Sequence, residues 1–240
     1  MSIFKNLFGG KPSTPSYPCD EITINGEKLK ITFFAHASLS IEYMDKHIYL
    51  DPVSENADYE RLPKADIILV SHSHYDHFDM AAIENLQKVD SHILLDKSSA
   101  EGFVGECYTM LPGAVAQPFT DIKIEAIAAY NTSENQLQFH PKEREDCGYI
   151  LTLGDAVRIY MSGDSEPTEE MLALKDIDIA FLAVNQPYTM KPEQAQEAIK
   201  ALKPKIFYPY HYGQVEEPTD VEALAESLKE VCDVRIRPLA

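Results

Sequence analysis

Residues 66–79 read Asp66-Ile67-Ile68-Leu69-Val70-Ser71-His72-Ser73-His74-Tyr75-Asp76-His77-Phe78-Asp79, and the fold follows from how this stretch is read. The run Ile67–Val70 is wholly apolar and rich in β-branched residues, the pattern of a short strand buried on both faces. Ser71 ends it. Three histidines and an aspartate follow within six residues, spaced His-x-His-x-Asp-His. A buried strand gives rigid support, and the loop at its end frees side chains to converge. Imidazole and carboxylate donors together suit divalent Zn, Mn, Fe or Ni. His72 and His74 can point to one place while Asp76 and His77 turn toward a second, which admits two ions about 3.5–4 Å apart. The competing reading, a solvated histidine-rich loop, leaves the buried strand in front of it unexplained.

The chain has 240 residues, enough for one α/β domain with a substantial core. Its 21 basic and 39 acidic residues give a net charge of −18, which repels phosphate backbones and argues against a nucleic-acid partner. Bound dications would offset that charge locally, so a small anionic substrate stays open. Four cysteines, Cys19, Cys107, Cys147 and Cys232, form no C-x-x-C pair. They read as free thiols of a reducing cytoplasm. Cys147 lies between two candidate ligands but reads first as a small buried hydrophobe. The first residues lack the apolar run and cleavage site of a signal peptide, and no apolar run is long enough to span a membrane. Ile3, Phe4, Leu7 and Phe8 have helical spacing and are expected on the domain's own surface. A lipid contact is the alternative.

Residues 1–20 read as a tail or connector, with prolines and glycines crowding 9–20, and residues 21–240 as a single domain. Strands are expected at 22–24 and 29–34 around Asn25-Gly26, and at 38–43 and 47–50. His36 falls between these hairpins. Asp51 closes the second and is a candidate acceptor for a ligand histidine's ring; His47 and His92 sit inside strand-like runs and read as structural. A helix over 79–86 capped by Asp79 follows the histidine loop. A strand at 92–95 comes next, then a stretch without pattern to residue 116, then period-two alternation over 121–129. A hairpin over 149–153 and 156–161 delivers Ser162-Gly163-Asp164. Helices are expected over 166–176, 192–202 and 218–232, with strands at 177–184 and 205–208 and an edge strand at 234–237. His211 sits just past one of these strands, and Asp164 past another. Periodicity by itself supports only a mixed α/β class.

The His-x-His-x-Asp-His loop resembles the signature of the metallo-β-lactamase-fold hydrolases, in their dinuclear branch. Tyr49-Leu50-Asp51-Pro52, Ser162-Gly163-Asp164 and Pro209-Tyr210-His211-Tyr212 fit the same family. The resemblance covers roughly residues 25–215. It is strongest to the bacterial subgroup similar to ascorbate-6-phosphate lactonase and N-acylphosphatidylethanolamine phospholipase D. It implies a four-layer αββα sandwich of the metallo-β-lactamase type. It also implies two divalent ions, zinc first, with Mn, Ni or Fe as alternatives. One is held by His72, His74 and His140, the other by Asp76, His77 and His211, with Asp164 bridging. Many relatives carry a histidine where this chain has Asn131, so Asn131 and Cys147 stay open as the residue completing the first site. By the same resemblance His36 faces the mouth of the site, Tyr188 belongs to a substrate-side loop, and Asn131 becomes a substrate or supporting hydrogen-bonding group. The polar segment 132–139 is long enough to form a rim or lid.

The implied activity is hydrolysis of a small ester, phosphodiester or lactone by hydroxide generated at the ions, with Asp76 shuttling the proton and His36 positioning the substrate. The substrate would be a small molecule, anionic or lipid-like. The alternative is a metal-binding sensor or scaffold of the same fold without catalysis. A two-iron redox variant would need a flavin-binding domain for which the chain has no room.

Overall fold

In the first hairpins every second residue is apolar, and a strand sends alternate side chains to opposite faces. Leu29, Ile31 and Phe33 therefore enter one core together with Leu39 and Ile41. The computed structural model describes residues 15–213 and 218–239. The expected stripe of Ile3, Phe4, Leu7 and Phe8 lies outside the described residues. Among these residues the first sheet has seven strands in chain order. They are β1 (Cys19–Ile24), β2 (Glu27–Ala35), β3 (Ser38–Tyr43), β4 (Lys46–Leu50), β5 (Ile67–Val70), β6 (His92–Asp96) and β7 (Tyr108–Met110). Pairing is antiparallel from β1 to β4 and parallel from β4 to β7. Helices α1 (Met80–Leu86) and α2 (Lys97–Gly102) make the crossovers. Asn25 and Gly26 both take positive φ, 51° and 92°, as a two-residue turn with the right twist requires.

The second sheet repeats this plan with seven strands. They are β8 (Val115–Phe119), β9 (Ile122–Ala128), β10 (Cys147–Leu153), β11 (Val157–Met161), β12 (Ile179–Ala183), β13 (Ile206–Tyr210) and β14 (Asp233–Val234). Pairing is antiparallel from β8 to β11 and parallel from there on. The helices α3 (Glu169–Leu172), α4 (Pro192–Leu202) and α5 (Val221–Leu228) connect the parallel strands.

The facing sides of the sheets share one core, in which Ile31, Phe33 and Ile41 join Ile124, Leu151, Ile159 and Phe181. Their outer sides bury helices. Ile68 and Val70 pack with Ala82, Ile83 and Leu86 of α1; Ala180 and Leu182 pack with Ala195, Ile199 and Leu224. Both faces of β5 and β12 are thus covered, which is why their sequences are unbroken apolar runs; each fully buried Ile or Leu contributes roughly 1.5–3 kcal/mol. The layers are helix, sheet, sheet, helix, the αββα sandwich expected. Among the described residues no helix is long and apolar enough to cross a membrane.

Three expectations are corrected. Residues 17–20 are not a free connector: Tyr17 meets the Phe34 ring edge-on at 4.9 Å, and β1 begins at Cys19. The helix expected over 166–176 shrinks to α3, because Pro167 disfavours helical backbone at Glu166 and the cap falls to Thr168, which accepts from the Met171 amide. The stretch to residue 116 holds α2, β7 and the start of β8. These elements are too short to print a period; α2 is set by Asp96, whose carboxylate accepts from the amides of Ser98 and Ser99.

Candidate metal centre

Each candidate donor leaves its element at the same end of the two sheets. β5 ends at Val70, and the next turn is closed by the His77 and Phe78 amides on the His74 carbonyl, at 3.0 and 2.9 Å. From this turn His74 joins one donor group and His77 another, and His72 lies between them, its ring 4.6 Å from that of His74 and 4.1 Å from that of His77. His36 stands in the β2–β3 turn at φ 54°, and His211 follows β13 at φ 57°. These are uncommon backbone settings for residues with a side chain, and such strain concentrates at functional sites. Asp164 follows β11 after Gly163 (φ 59°), where a Cβ would come within 2.9 Å of the Cys147 carbonyl oxygen and 3.2 Å of Ser71 Cβ. Only glycine fits there. His140 comes from the loop after β9, which is closed back by the Asn131 amide on the His140 carbonyl at 2.8 Å.

Among the described residues the donors fall into three overlapping groups: His72, His74 and His140; His36, Asp76, His77 and His211; and His72, His77 and Asp164. Within them His72 Nε2 lies 3.0 Å from His74 Nδ1, and His77 Nε2 lies 3.1 Å from His211 Nε2. Two nitrogens bound tetrahedrally to one zinc-sized ion at about 2.0–2.1 Å stand roughly 3.3–3.4 Å apart, so these spacings suit a shared cation. Asp164 lies between the groups. Its Oδ2 is 3.5 Å from His140 Nε2 and 3.4 Å from His211 Nε2, and its Oδ1 is 3.4 Å from His77 Nε2. Asp76 Oδ2 reaches His211 Nε2 at 3.5 Å and His36 Nε2 at 3.1 Å. Both His140 Nε2 and Asp164 Oδ1 are buried without a hydrogen-bond partner. These orphaned acceptors inside a histidine cage fit a divalent cation.

The far side of each ring tells the same story with one exception. A metal-bound imidazole needs its other nitrogen protonated and facing an acceptor. His77 Nδ1 donates to Asp51 Oδ2 at 2.8 Å, and His140 Nδ1 donates to the Tyr188 carbonyl at 3.2 Å. The Ser71 hydroxyl donates to Asp51 at 2.7 Å and so can accept from His72 Nδ1 at 3.0 Å. His211 Nδ1 faces the Asn185 amide at 2.8 Å. Asn185 Oδ1 is buried without a partner, and turning the amide over gives Nδ1 an acceptor. The exception is His74, whose Nε2 faces Arg144 Nη1 at 2.6 Å. A guanidinium only donates, so a cation at His74 Nδ1 requires Arg144 to leave that nitrogen.

The electrostatics divide the same way. Burial keeps His72 well below the usual histidine value and also lowers His140; burial and then Arg144 bring His74 down to about 4. These three rings are neutral near pH 7 and offer lone pairs. Burial is the largest influence at His77 and His211 too and opposes charge there, but Asp164 together with Asp51 at His77 and with Asp76 at His211 outweighs it and raises both. Asp164 and Asp76 are held below the ordinary carboxylate range against the cost of burial, Asp164 chiefly by His211 and His77, Asp76 by hydrogen bonds from His211 and His36. Protons on His77 and His211 thus neutralise the carboxylates where a dication would.

The centre opens into a cavity of about 470 Å3 lined by His36, His74, Asp76, His140, Asp164 and His211 together with Tyr75, Gln138, Phe139, Asn185 and Tyr188; His72 and His77 lie buried behind it. The structure brings His36, His72, His74, Asp76, His77, His140, Asp164 and His211 together. Tyr188 is on the cavity wall. Asn131 is not: it is buried, and its amide donates to the carbonyls of Gln136 and Tyr188 at 3.1 and 2.7 Å, holding the wall from behind. Cys147 Sγ points to the Met110 and Glu145 carbonyls and belongs to none of the three groups. Sequence reading placed Phe139 in the 132–139 rim and Asn185 in the substrate-side loop without a role of its own, and assigned no site role to Ser71 or Arg144. Asn185 could have been found, since it follows a buried strand as His211 does; Arg144 carries no local signal.

The family model for the beta-lactamase superfamily domain matches residues 30–211. The chain belongs to that superfamily, in the UPF0173 metal-dependent hydrolase family. A member from Pelotomaculum thermopropionicum is 32% identical over 201 residues, covering 77% of this chain and 85% of the relative. The crystal structure of a candidate metal-dependent hydrolase from Parabacteroides distasonis superposes with a TM-score of 0.87 at 44% identity, over 94% of this chain and all (100%) of that one. Igni18, a metallo hydrolase from Ignicoccus hospitalis, matches at TM-score 0.72 and 22% identity over 88% of this chain and 96% of its own, a likeness of fold. The matched span of the superfamily ends on His211 and contains every residue of the three donor groups.

Proposed function

We propose that this protein is a metal-dependent hydrolase that cuts a small ester, phosphodiester or lactone at two divalent ions. His72, His74 and His140 would hold the first ion and Asp76, His77 and His211 the second, with Asp164 shared. The observation that carries this reading is the position of Asp164, within 3.5 Å of ring nitrogens from both groups. The all-nitrogen and nitrogen–carboxylate donor sets suit zinc, with Mn, Ni and Fe as alternatives. Bound there, the ions would lower the pKa of water toward neutrality and polarise the substrate's carbonyl or phosphoryl oxygen.

The chain's own residues supply the rest. Asp51, Ser71, Asn185 and the Tyr188 carbonyl hold His77, His72, His211 and His140 from behind, and His74 is the donor that must first shed Arg144. Asp76 Oδ2 reaches the cavity and takes a hydrogen bond from His36 Nε2 at 3.1 Å. That pair is placed to accept a proton from the attacking water and return it to the leaving oxygen. The four free cysteines fit a reducing, cytoplasmic setting. The shared core and shared centre support a single domain over residues 21–240, joined by 17–20.

Elemental mass spectrometry on the wild type beside His140→Ala tests the assignment. Two ions per chain falling to about one, with chelation abolishing turnover of a generic ester, is the expected result. A wild type that takes up no metal on reconstitution would sink it. Full metal without turnover would favour a sensor or scaffold of the same fold.

A further inference from the structure

Part of the cavity wall is aromatic. Phe139 and Tyr188 meet edge to face, centroids 4.8 Å apart and planes at 74°, forming a right-angled corner. The corner is rigidly tied to the centre, since the Tyr188 carbonyl accepts from both Asn131 Nδ2 and His140 Nδ1. Tyr188 is 40% exposed and Tyr75, which also lines the cavity, 86% exposed, so both rings retain apolar area to cover. Tyr and Phe walls of this kind recognise flat apolar groups by stacking and edge contacts.

The charges of the same wall point the same way. Among the described residues its charged members besides histidine are Asp76 and Asp164; no Lys or Arg lines it. The chain as a whole carries −18. An anionic group at the reacting bond would meet the cations. A second anionic group farther out would meet aromatic faces and a repulsive field.

We propose that the substrate is an ester or lactone with a flat, uncharged ring that packs into the Phe139–Tyr188 corner and with no anionic group away from the bond that is cut. This rests on the hydrolase reading. In the reaction, water adds across the acyl C–O bond: its oxygen stays on the acyl carbon, and a hydrogen ends on the alcohol oxygen that leaves.

Three butyrate esters with similar alcohol leaving groups, benzyl, ethyl and 4-carboxybenzyl, test the idea on the metal-loaded protein. The benzyl ester should lead both others in kcat/KM by about tenfold, the range of a good aromatic contact. Phe139→Ala, and separately Tyr188→Leu, should erase the benzyl-over-ethyl preference mainly through KM, with metal content unchanged. A 4-carboxybenzyl ester turned over as well as benzyl, or a preference that survives both variants, overturns the proposal. Should none of the esters react, calorimetric binding of N-benzylbutyramide separates the two readings. Binding by wild type that weakens in Phe139→Ala keeps the aromatic corner and discards carboxylic esters as the bond cut, while the hydrolase reading stands or falls on metal content and chelation. No binding by wild type discards the corner.

Discussion

The two sheets reach the same centre by different routes. The first supplies His72, His74, Asp76 and His77 from one turn after β5, and adds His36 from a hairpin. The second supplies His140, Asp164 and His211 singly, each from a different strand end. A single turn holds its donors by local hydrogen bonds, such as those on the His74 carbonyl. Donors delivered singly depend on strand register, so they are placed only when the whole sheet is built. Among the supports behind the rings, one pair matches across the sheets, His77 through Asp51 and His211 through Asn185, both at 2.8 Å. The first support is a charge and the second a neutral amide. The local half of the centre is therefore the more strongly polarised one.

The largest expected effect comes where the two routes meet. Asp164→Ala should release both ions and lower turnover by about 10³-fold or more, roughly 4 kcal/mol of transition-state stabilisation. His211→Ala should release one. Metal content and kcat/KM measured on both variants would break the comparison if Asp164→Ala kept two ions. A smaller effect separates the supports. Asp51→Asn should weaken metal affinity by about 10–100-fold and Asn185→Ala by less, because a carboxylate raises ring basicity more than an amide does. Competition with a chromophoric chelator measures both; a larger loss in Asn185→Ala would reverse the ranking.

The smallest effect lies outside the three donor groups, where the sheets are joined again. Asp20 of β1 accepts from Arg237 Nη2 at 2.7 and 2.8 Å and from the Tyr208 hydroxyl of β13 at 2.6 Å. Burial alone would raise its carboxyl; the Tyr208 and Arg237 bonds outweigh it and hold the group below 3.8. A lowered folded value means the stabilisation is present above the unfolded value and lost as pH falls through the lower folded one. Asp20→Asn should cost about 1–2 kcal/mol after screening at the half-buried arginines, and the loss should vanish in acid. Denaturant melts of both proteins at neutral pH and below 3.8 check it. Metal content should not change; if it fell, the joint would be part of the centre.

Much of this was legible in the sequence, for physical reasons that differ by residue. Ile67–Val70 and the period of β9 print burial directly, because a strand's two faces are set by its neighbours in sequence. Asp79 was readable as a helix cap because capping is local: it accepts from the Ala81 and Ala82 amides. The short elements α2 and β7 were not legible, since a few residues carry no period. The helix over 166–176 was over-read because Pro167 shortens it from within.

By itself, then, the sequence determined the order of the longer strands and helices, the loop of donors from His72 to His77, the acidic surface and the resemblance to a metallohydrolase. Local patterns suffice for those. Only the tertiary structure decided that His140, rather than Asn131 or Cys147, faces Asp164, that Asn131 holds the wall from behind, that Arg144 opposes His74, and that Phe139 joins Tyr188 in a corner. Those are contacts between residues far apart in the chain, and their geometry exists only once two sheets have closed on one core.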